Sequence, residues 1–267
     1  MAKEGLPIPL NEVTEITKTD LTYDQAVQFE GWQRMEDKKY APYSIYWLKI
    51  SFTEQSAKAT KDYLLDLGKN IDYATLYLPD GTTLKSGRLV PESEKTALFY
   101  YWEVFFQFPY QPKSGDVLYI QVEERSGMPP QIAPVLNDYV AWKAEREIEL
   151  KVRYVLQGGF QGAIWIMIIY SFAIFLTYLD RVYLHYALYM IGASLFSAQA
   201  YGILDEFFIS DYPELSIYFR NFGIHAAAIF YFVFMNSFLD TKKNYPRVYR
   251  AVVWLQRILC LNLAIVT

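Results

Sequence analysis

The chain has one cysteine, Cys260, in 267 residues. It has no intrachain disulfide and no zinc site of the usual cysteine type. The N-terminal domain must therefore hold together by its core alone, which about 137 residues suffice to do. The first residues, Met-Ala-Lys-Glu-Gly-Leu-Pro, contain no apolar stretch of signal-peptide type. Either the first membrane span doubles as the export signal, or the natural start lies upstream. Positive charge is scarce where it would matter for nucleic acid: residues 1–137 carry 14 Lys/Arg against 19 Asp/Glu. An acidic half of this kind cannot displace the counterions of a phosphate backbone. Phosphate-binding loops, dinucleotide fingerprints, HExxH and GxSxG are all missing.

Long hydrophobic runs are what the second half does have. Residues 154–179 hold no Asp, Glu, Lys or Arg, and residues 182–204 have His185 as their one ionisable group. Residues 221–239 follow, with His225 near the start, and from 251 a fourth run begins, with Arg257 near its entrance. About 20 apolar residues cross a bilayer at 1.5 Å each. The expected spans are 155–179, 182–204, 221–239 and an incomplete 251–267. On this reading the chain is a piece of a longer protein, stopping inside the fourth helix of a bundle. The 240–250 loop is basic (Lys242, Lys243, Arg247, Arg250) and the 201–220 loop acidic (Asp205, Glu206, Asp211, Glu214). The basic loop belongs inside, which puts the N-terminal domain on the extracytoplasmic side of a multi-pass cell (inner) membrane protein. Lys143, Arg146, Lys151 and Arg153, just before the first span, count against this orientation.

In the first half the periodicity is that of strands. Tyr46, Leu48, Ile50 and Phe52 alternate, as do Leu118, Ile120 and Val122. Residues 71–78 and 82–89 flank Pro79-Asp80-Gly81, a hairpin signal. Residues 62–67 and 131–136 are further short strands, and 98–108, apolar on both faces, suits a central strand. An antiparallel β-sandwich over 1–137 is expected, then a helical linker at 138–153 rich in Ala, Glu, Lys and Arg, then the partial transmembrane bundle at 154–267.

The order of these features resembles the bacterial seven-transmembrane receptors with diverse intracellular signalling modules. The resemblance rests on Leu21-Thr22-Tyr23-Asp24-Gln25-Ala26-Val27 with Phe29, on Tyr46-Trp47-Leu48-Lys49-Ile50, and on Ser86-Gly87 with Pro91. In the membrane half it rests on Gly158-Gly159 with Gly162, Asp180-Arg181-Val182-Tyr183-Leu184-His185-Tyr186, Tyr201-Gly202 and Phe238-Leu239. It implies a jelly-roll-like extracytoplasmic sensory domain for a small molecule or carbohydrate. It also implies a seven-helix region, of which three complete spans are present here, and an intracellular signalling effector domain missing from this chain. The alternatives are a membrane-anchored binding or scaffold protein without signalling output, and a membrane-anchored carbohydrate-active enzyme.

Sugar binding asks for flat aromatic faces beside hydrogen-bonding groups. Trp32, Tyr40, Tyr43 and Trp102 are the ring candidates, with Glu103 to accept from hydroxyls; Trp47, Tyr101 and Asp72 are further possibilities. Most such rings fill cores. Trp32 and Tyr40 stand in a polar stretch and are the better candidates. Glu123 and Glu124, adjacent on a strand, point to opposite faces and cannot flank one glycosidic bond, and no catalytic residue, metal or cofactor is assigned. Gly158-x-x-x-Gly162 has the spacing for close helix packing, within the chain's own bundle or in a homo-dimer.

Overall fold

The computed structural model describes residues 7–35, 40–53, 62–95, 103–107 and 112–266. The chain forms two compact units, Met1–Glu149 and Leu150–Thr267.

The first unit is the expected sandwich. Among the described residues its strands are β1 (Ile8–Pro9), β2 (Thr14–Lys18), β3 (Gln33–Arg34), β4 (Ile45–Ser51), β5 (Tyr63–Lys69), β6 (Tyr73–Tyr77), β7 (Thr83–Ser86), β8 (Glu103–Gln107), β9 (Val117–Glu123) and β10 (Gln131–Asp138). They make a four-stranded sheet in the order β1-β10-β5-β8 and a six-stranded sheet in the order β3-β2-β4-β9-β6-β7. Every pairing is antiparallel. Alternation builds the core: Tyr46, Leu48 and Ile50 face inward with Leu118, Ile120, Val122, Ala74 and Leu76, against Tyr63, Leu65, Leu67, Val104 and Phe106 of the other sheet. Each Val, Leu, Ile or Phe among them contributes roughly 1.5–3 kcal/mol on burial.

The β6–β7 hairpin turns at Asp80-Gly81. Asp80 accepts from the Thr82 N–H at 2.8 Å, and Gly81 takes φ +86°, open to glycine without strain. The short helix α1 (Tyr23–Gln28) is closed by a capping box between Thr22 and Gln25.

β8 is an edge strand of its sheet among the described residues, yet Val104, Phe105 and Phe106 are all buried. The reason is the next element. Helix α2 (Tyr139–Tyr178) begins one residue after β10 and lays Trp142 edge-on against the outward Phe105, ring centroids 4.7 Å apart. The expected linker and first span are thus one continuous helix of 40 residues.

The second unit continues with α3 (Arg181–Ala200), α4 (Ile203–Phe207), α5 (Leu215–Phe238), α6 (Thr241–Asn244) and α7 (Pro246–Val266). Among the described residues, three helices are long and apolar enough to cross a membrane: Tyr139–Tyr178, Leu215–Phe238 and Pro246–Ile265. α5 and α7 start before the expected 221 and 251, and the helix expected through 204 breaks at Gly202, φ +75°. α3 and α5 pack closely because both carry glycine at the crossing. A Cβ on Gly192 would lie 2.6 Å from the Ala227 nitrogen, and one on Gly223 would lie 3.0 Å from that of Phe196. Gly158, Gly159 and Gly162, in contrast, have nothing within 4 Å of a Cβ.

Candidate functional site

Solvent-side positions of an antiparallel sheet are usually polar. On three adjoining strands of the six-stranded sheet, half of the six positions in two neighbouring rows are aromatic. Outward along β4 stand Trp47 and Lys49, along β9 Tyr119 and Gln121, and along β6 Thr75 and Tyr77. Cross-strand register places Lys49, Tyr119 and Tyr77 in one row, and Trp47, Gln121 and Thr75 in the next. α1 and the residues after it lie over this face. Tyr23 stacks on Tyr77 at 4.6 Å and meets Tyr119 edge-on at 5.9 Å. Trp32 leans on Tyr119 at 6.0 Å and is steadied by Phe29, edge-on at 5.9 Å.

Polar groups frame the rings. Lys49 Nζ sits 5.8 Å from the Trp32 ring centre and pairs with Glu15 at 2.8 Å. Both partners are partly open to solvent, so the pair adds little stability and stays available to hydroxyls. Burial pushes the Tyr77 and Tyr119 hydroxyls above the usual phenol value, which keeps them neutral donors. Beneath Tyr77, Trp47 is 0% exposed, and its indole N–H has no hydrogen-bond partner among the described residues. A buried donor without an acceptor carries a desolvation cost of about 1–3 kcal/mol.

The residues nominated from sequence meet different fates. Trp32 is half-buried on the aromatic face. Tyr40 is a correction: it is buried in the core, edge-on to Tyr46 at 5.3 Å, and offers no face to a ligand. The charged residues that made it look exposed, 37–39, lie outside the described residues, as do Tyr101 and Trp102.

Tyr43 is 73% exposed with φ +51°, and its N–H donates to Glu124 at 3.0 Å. It lies two residues before the β4 end where Ile45 pairs with Glu123, and Ile45 itself is four residues or roughly 13 Å along the strand from Lys49. Trp32 and Tyr43 are thus not brought together.

Glu103 is also a correction: its carboxylate is engaged by Lys69 at 3.1 Å and Arg146 at 2.7 Å, which leaves it structural. Asp72 is 0% exposed and held by Arg88 at 2.8 Å. Glu123 and Glu124 diverge as expected. Glu123 pairs with Arg125 at the surface, and buried Glu124 accepts from the backbone N–H groups of Tyr43, Ser126, Gly127 and Met128. Lys49, Tyr119, Tyr77 and Tyr23 were not nominated as ligand residues. Aromatic residues at outward strand positions were the signal that would have found Tyr77 and Tyr119.

In the second unit polar contacts join the helices both near their ends and within them, as where the Gln161 side chain donates to the Ser194 carbonyl and the Ser197 hydroxyl. Arg153 and Tyr154, where α2 enters its apolar stretch, both reach Glu206 on α4; Arg153 is at 3.8 Å, and the Tyr154 hydroxyl donates. At the opposite ends of α3 and α5, His185 meets Ser237 at 2.8 Å. His225 bonds the Asn221 carbonyl at 2.7 Å and Asn262 on α7 at 3.0 Å.

A β-sandwich with an aromatic, polar-framed face, joined by a continuous helix to a bundle with membrane-crossing helices, is the build of a membrane receptor with a sensory domain. Residues 12–133 match the family described as 7TMR-DISM extracellular 2, and residues 153–267 match 7TM diverse intracellular signalling. The chain belongs to the seven-transmembrane receptors with diverse intracellular signalling modules. No curated protein matches it significantly.

Proposed function

We propose that the sandwich faces the extracytoplasmic side and takes a carbohydrate ring on the aromatic face of its six-stranded sheet, and that α2 passes the bound state to the membrane region and on to an intracellular effector. The observation that carries the ligand class is Trp32 beside Tyr119 with the Lys49–Glu15 pair at its edge. That set supplies a stacking surface and a charged donor–acceptor pair, which is what a pyranose asks for. The reading assigns binding and no turnover. In support of that, the carboxylates that would do glycosidic chemistry are engaged: Glu103 by Lys69 and Arg146, Glu124 by backbone N–H groups.

We count α3 as a span with α2, α5 and α7. Its 20 residues reach about 30 Å, and after Arg181 its sole ionisable side chain apart from tyrosines is His185. The contacts of Arg153 and Tyr154 with Glu206 are what is expected if the 201–220 segment and the start of α2 share one side of the membrane. The basic residues before the first span still count against this orientation, since the rule counts positive residues and not net charge, although two of them are paired. Arg146 pairs with Glu103 and Glu149, and Arg153 with Glu206.

The test is calorimetry of the whole chain in lipid nanodiscs against the best binder from a glycan array. One stacked ring is worth about 1 kcal/mol, so Trp32→Ala should weaken binding roughly fivefold and Tyr119→Ala comparably, with sandwich stability retained. Unchanged affinity in both variants removes the site from this face. Absence of binding across the array removes carbohydrate as the ligand class.

A further inference from the structure

The outer face of the four-stranded sheet is built differently from the aromatic one. Outward on β5 are Leu64 and Asp66, and outward on β8 are Glu103 and Phe105, with Asp66 paired across from Phe105. Leu64 and Phe105 are nearly inaccessible to solvent. The opening turns of α2 bring two contacts to this face: the Trp142 ring on Phe105 at 4.7 Å, and Arg146 Nη2 on the Glu103 carboxylate at 2.7 Å. The charged groups around Asp66 come from each element packed there. They are Glu103 on β8, Lys69 on its own strand and Arg146 on α2, the last also pairing with Glu149 at 2.7 Å. Asp66 Oδ1 accepts the Gly68 N–H at 2.8 Å, at a bulge that only glycine fits: φ is +111°, and a Cβ would lie 2.0 Å from the Gln131 carbonyl oxygen. The ion pair joining sheet to helix has a second, half-buried carboxyl, Asp66, beside it.

We propose that Asp66, Glu103 and Arg146 form a proton-controlled latch, by which the opening turns of α2 hold the four-stranded sheet more tightly in acid than at neutral pH. The Asp66 carboxyl is lifted from 3.8 to about 6 by burial first and by the Glu103 charge; the Gly68 N–H, Arg146 and Lys69 pull it back only in part. Releasing the helix start returns Asp66 to water and toward its ordinary value. The docked form therefore binds the extra proton between these two values. Its added hold is complete below the lower one and is lost as pH rises through about 6. α2 continues unbroken to Tyr178, so the latch lies at the head of the helix that enters the membrane. It holds whatever ligand the aromatic face takes.

Hydrogen exchange of the whole chain in nanodiscs, corrected for intrinsic rates, tests this on residues 144–149, with β9 as the internal control for a folded sandwich. A helix end without packing frays. Protection over 144–149 should fall by up to about tenfold between about pH 5 and pH 7.5 while β9 stays constant, and Asp66→Asn should stay at the higher value throughout. A wild type with equal protection at both pH values, or an Asp66→Asn variant that keeps the dependence, overturns the proposal. If Asp66→Asn loses β9 protection, Glu103→Gln decides. Removing the neighbouring charge should move the midpoint to lower pH, and an unmoved midpoint overturns the latch.

Discussion

Asp72 and Arg88 meet 2.8 Å apart under the loops at one end of the sandwich, with hardly any solvent on either. Burial alone would raise the Asp72 carboxyl. The Arg88 guanidinium and the N–H groups of Arg125 and Ser126, at 2.8 and 2.6 Å, outweigh it and hold the group below its ordinary 3.8. Stability from this pair is therefore full above that value and lost as pH falls through the lower folded one. Asp72→Ala would strand the guanidinium and should cost about 3–5 kcal/mol in urea unfolding of the sandwich at neutral pH. A cost under about 1 kcal/mol would mean water reaches Arg88 after all.

Individual side chains were also where reading the sequence was weakest. Tyr40 follows charged residues and looked exposed, yet its ring turns inward against Tyr46. Local polarity reports the backbone's surroundings, and a tyrosine ring reaches far enough to find a core beyond them. Glu103 had no visible partner because Lys69 and Arg146 lie 34 and 43 positions away along the chain.

Elements were more legible. β4 and β9 fall where alternation placed them, β6 and β7 where the turn signal did, β10 covers the short strand expected at 131–136, and the Asp80-Gly81 turn joins the expected hairpin. β1 and β3 are two residues long, and β2, Thr-Glu-Ile-Thr-Lys, has one large apolar residue in five, so periodicity could not reveal them. Residues 98–108 suggested a central strand because both faces are apolar; β8 is instead an edge of the described sheet whose outer face is covered by Trp142.

The small-residue spacing singled out in sequence lies at Gly158 and Gly162, where the described residues leave open space, whereas the close helix contact is made by Gly192 and Gly223. That contrast is testable. Gly192→Ile must push Ala227 aside and should destabilise the membrane unit by about 1–3 kcal/mol, seen as a lower thermal aggregation midpoint in detergent. Gly159→Ile should leave that midpoint unchanged. Equal losses would place a packing partner against Gly159 as well.

On the scale of the whole molecule, one chain carries an aromatic sheet face, a helix that starts on the opposite sheet, and a membrane region whose loops differ in charge. The two family matches cover residues 12–133 and 153–267, one on each compact unit. A sensory reading requires the sandwich to meet the outside medium and the Lys242–Arg250 segment to meet the cytoplasm. Cysteine accessibility decides this directly. In a Cys260→Ser background, Ser210→Cys and Asn244→Cys are probed in intact cells with a membrane-impermeant thiol reagent, and a third cysteine at Asp80 in the β6–β7 turn reports the sandwich. The account predicts labelling of Asp80→Cys and Ser210→Cys, with Asn244→Cys labelled only after permeabilisation. Labelling of Asn244→Cys in intact cells, with the other two protected, would contradict it.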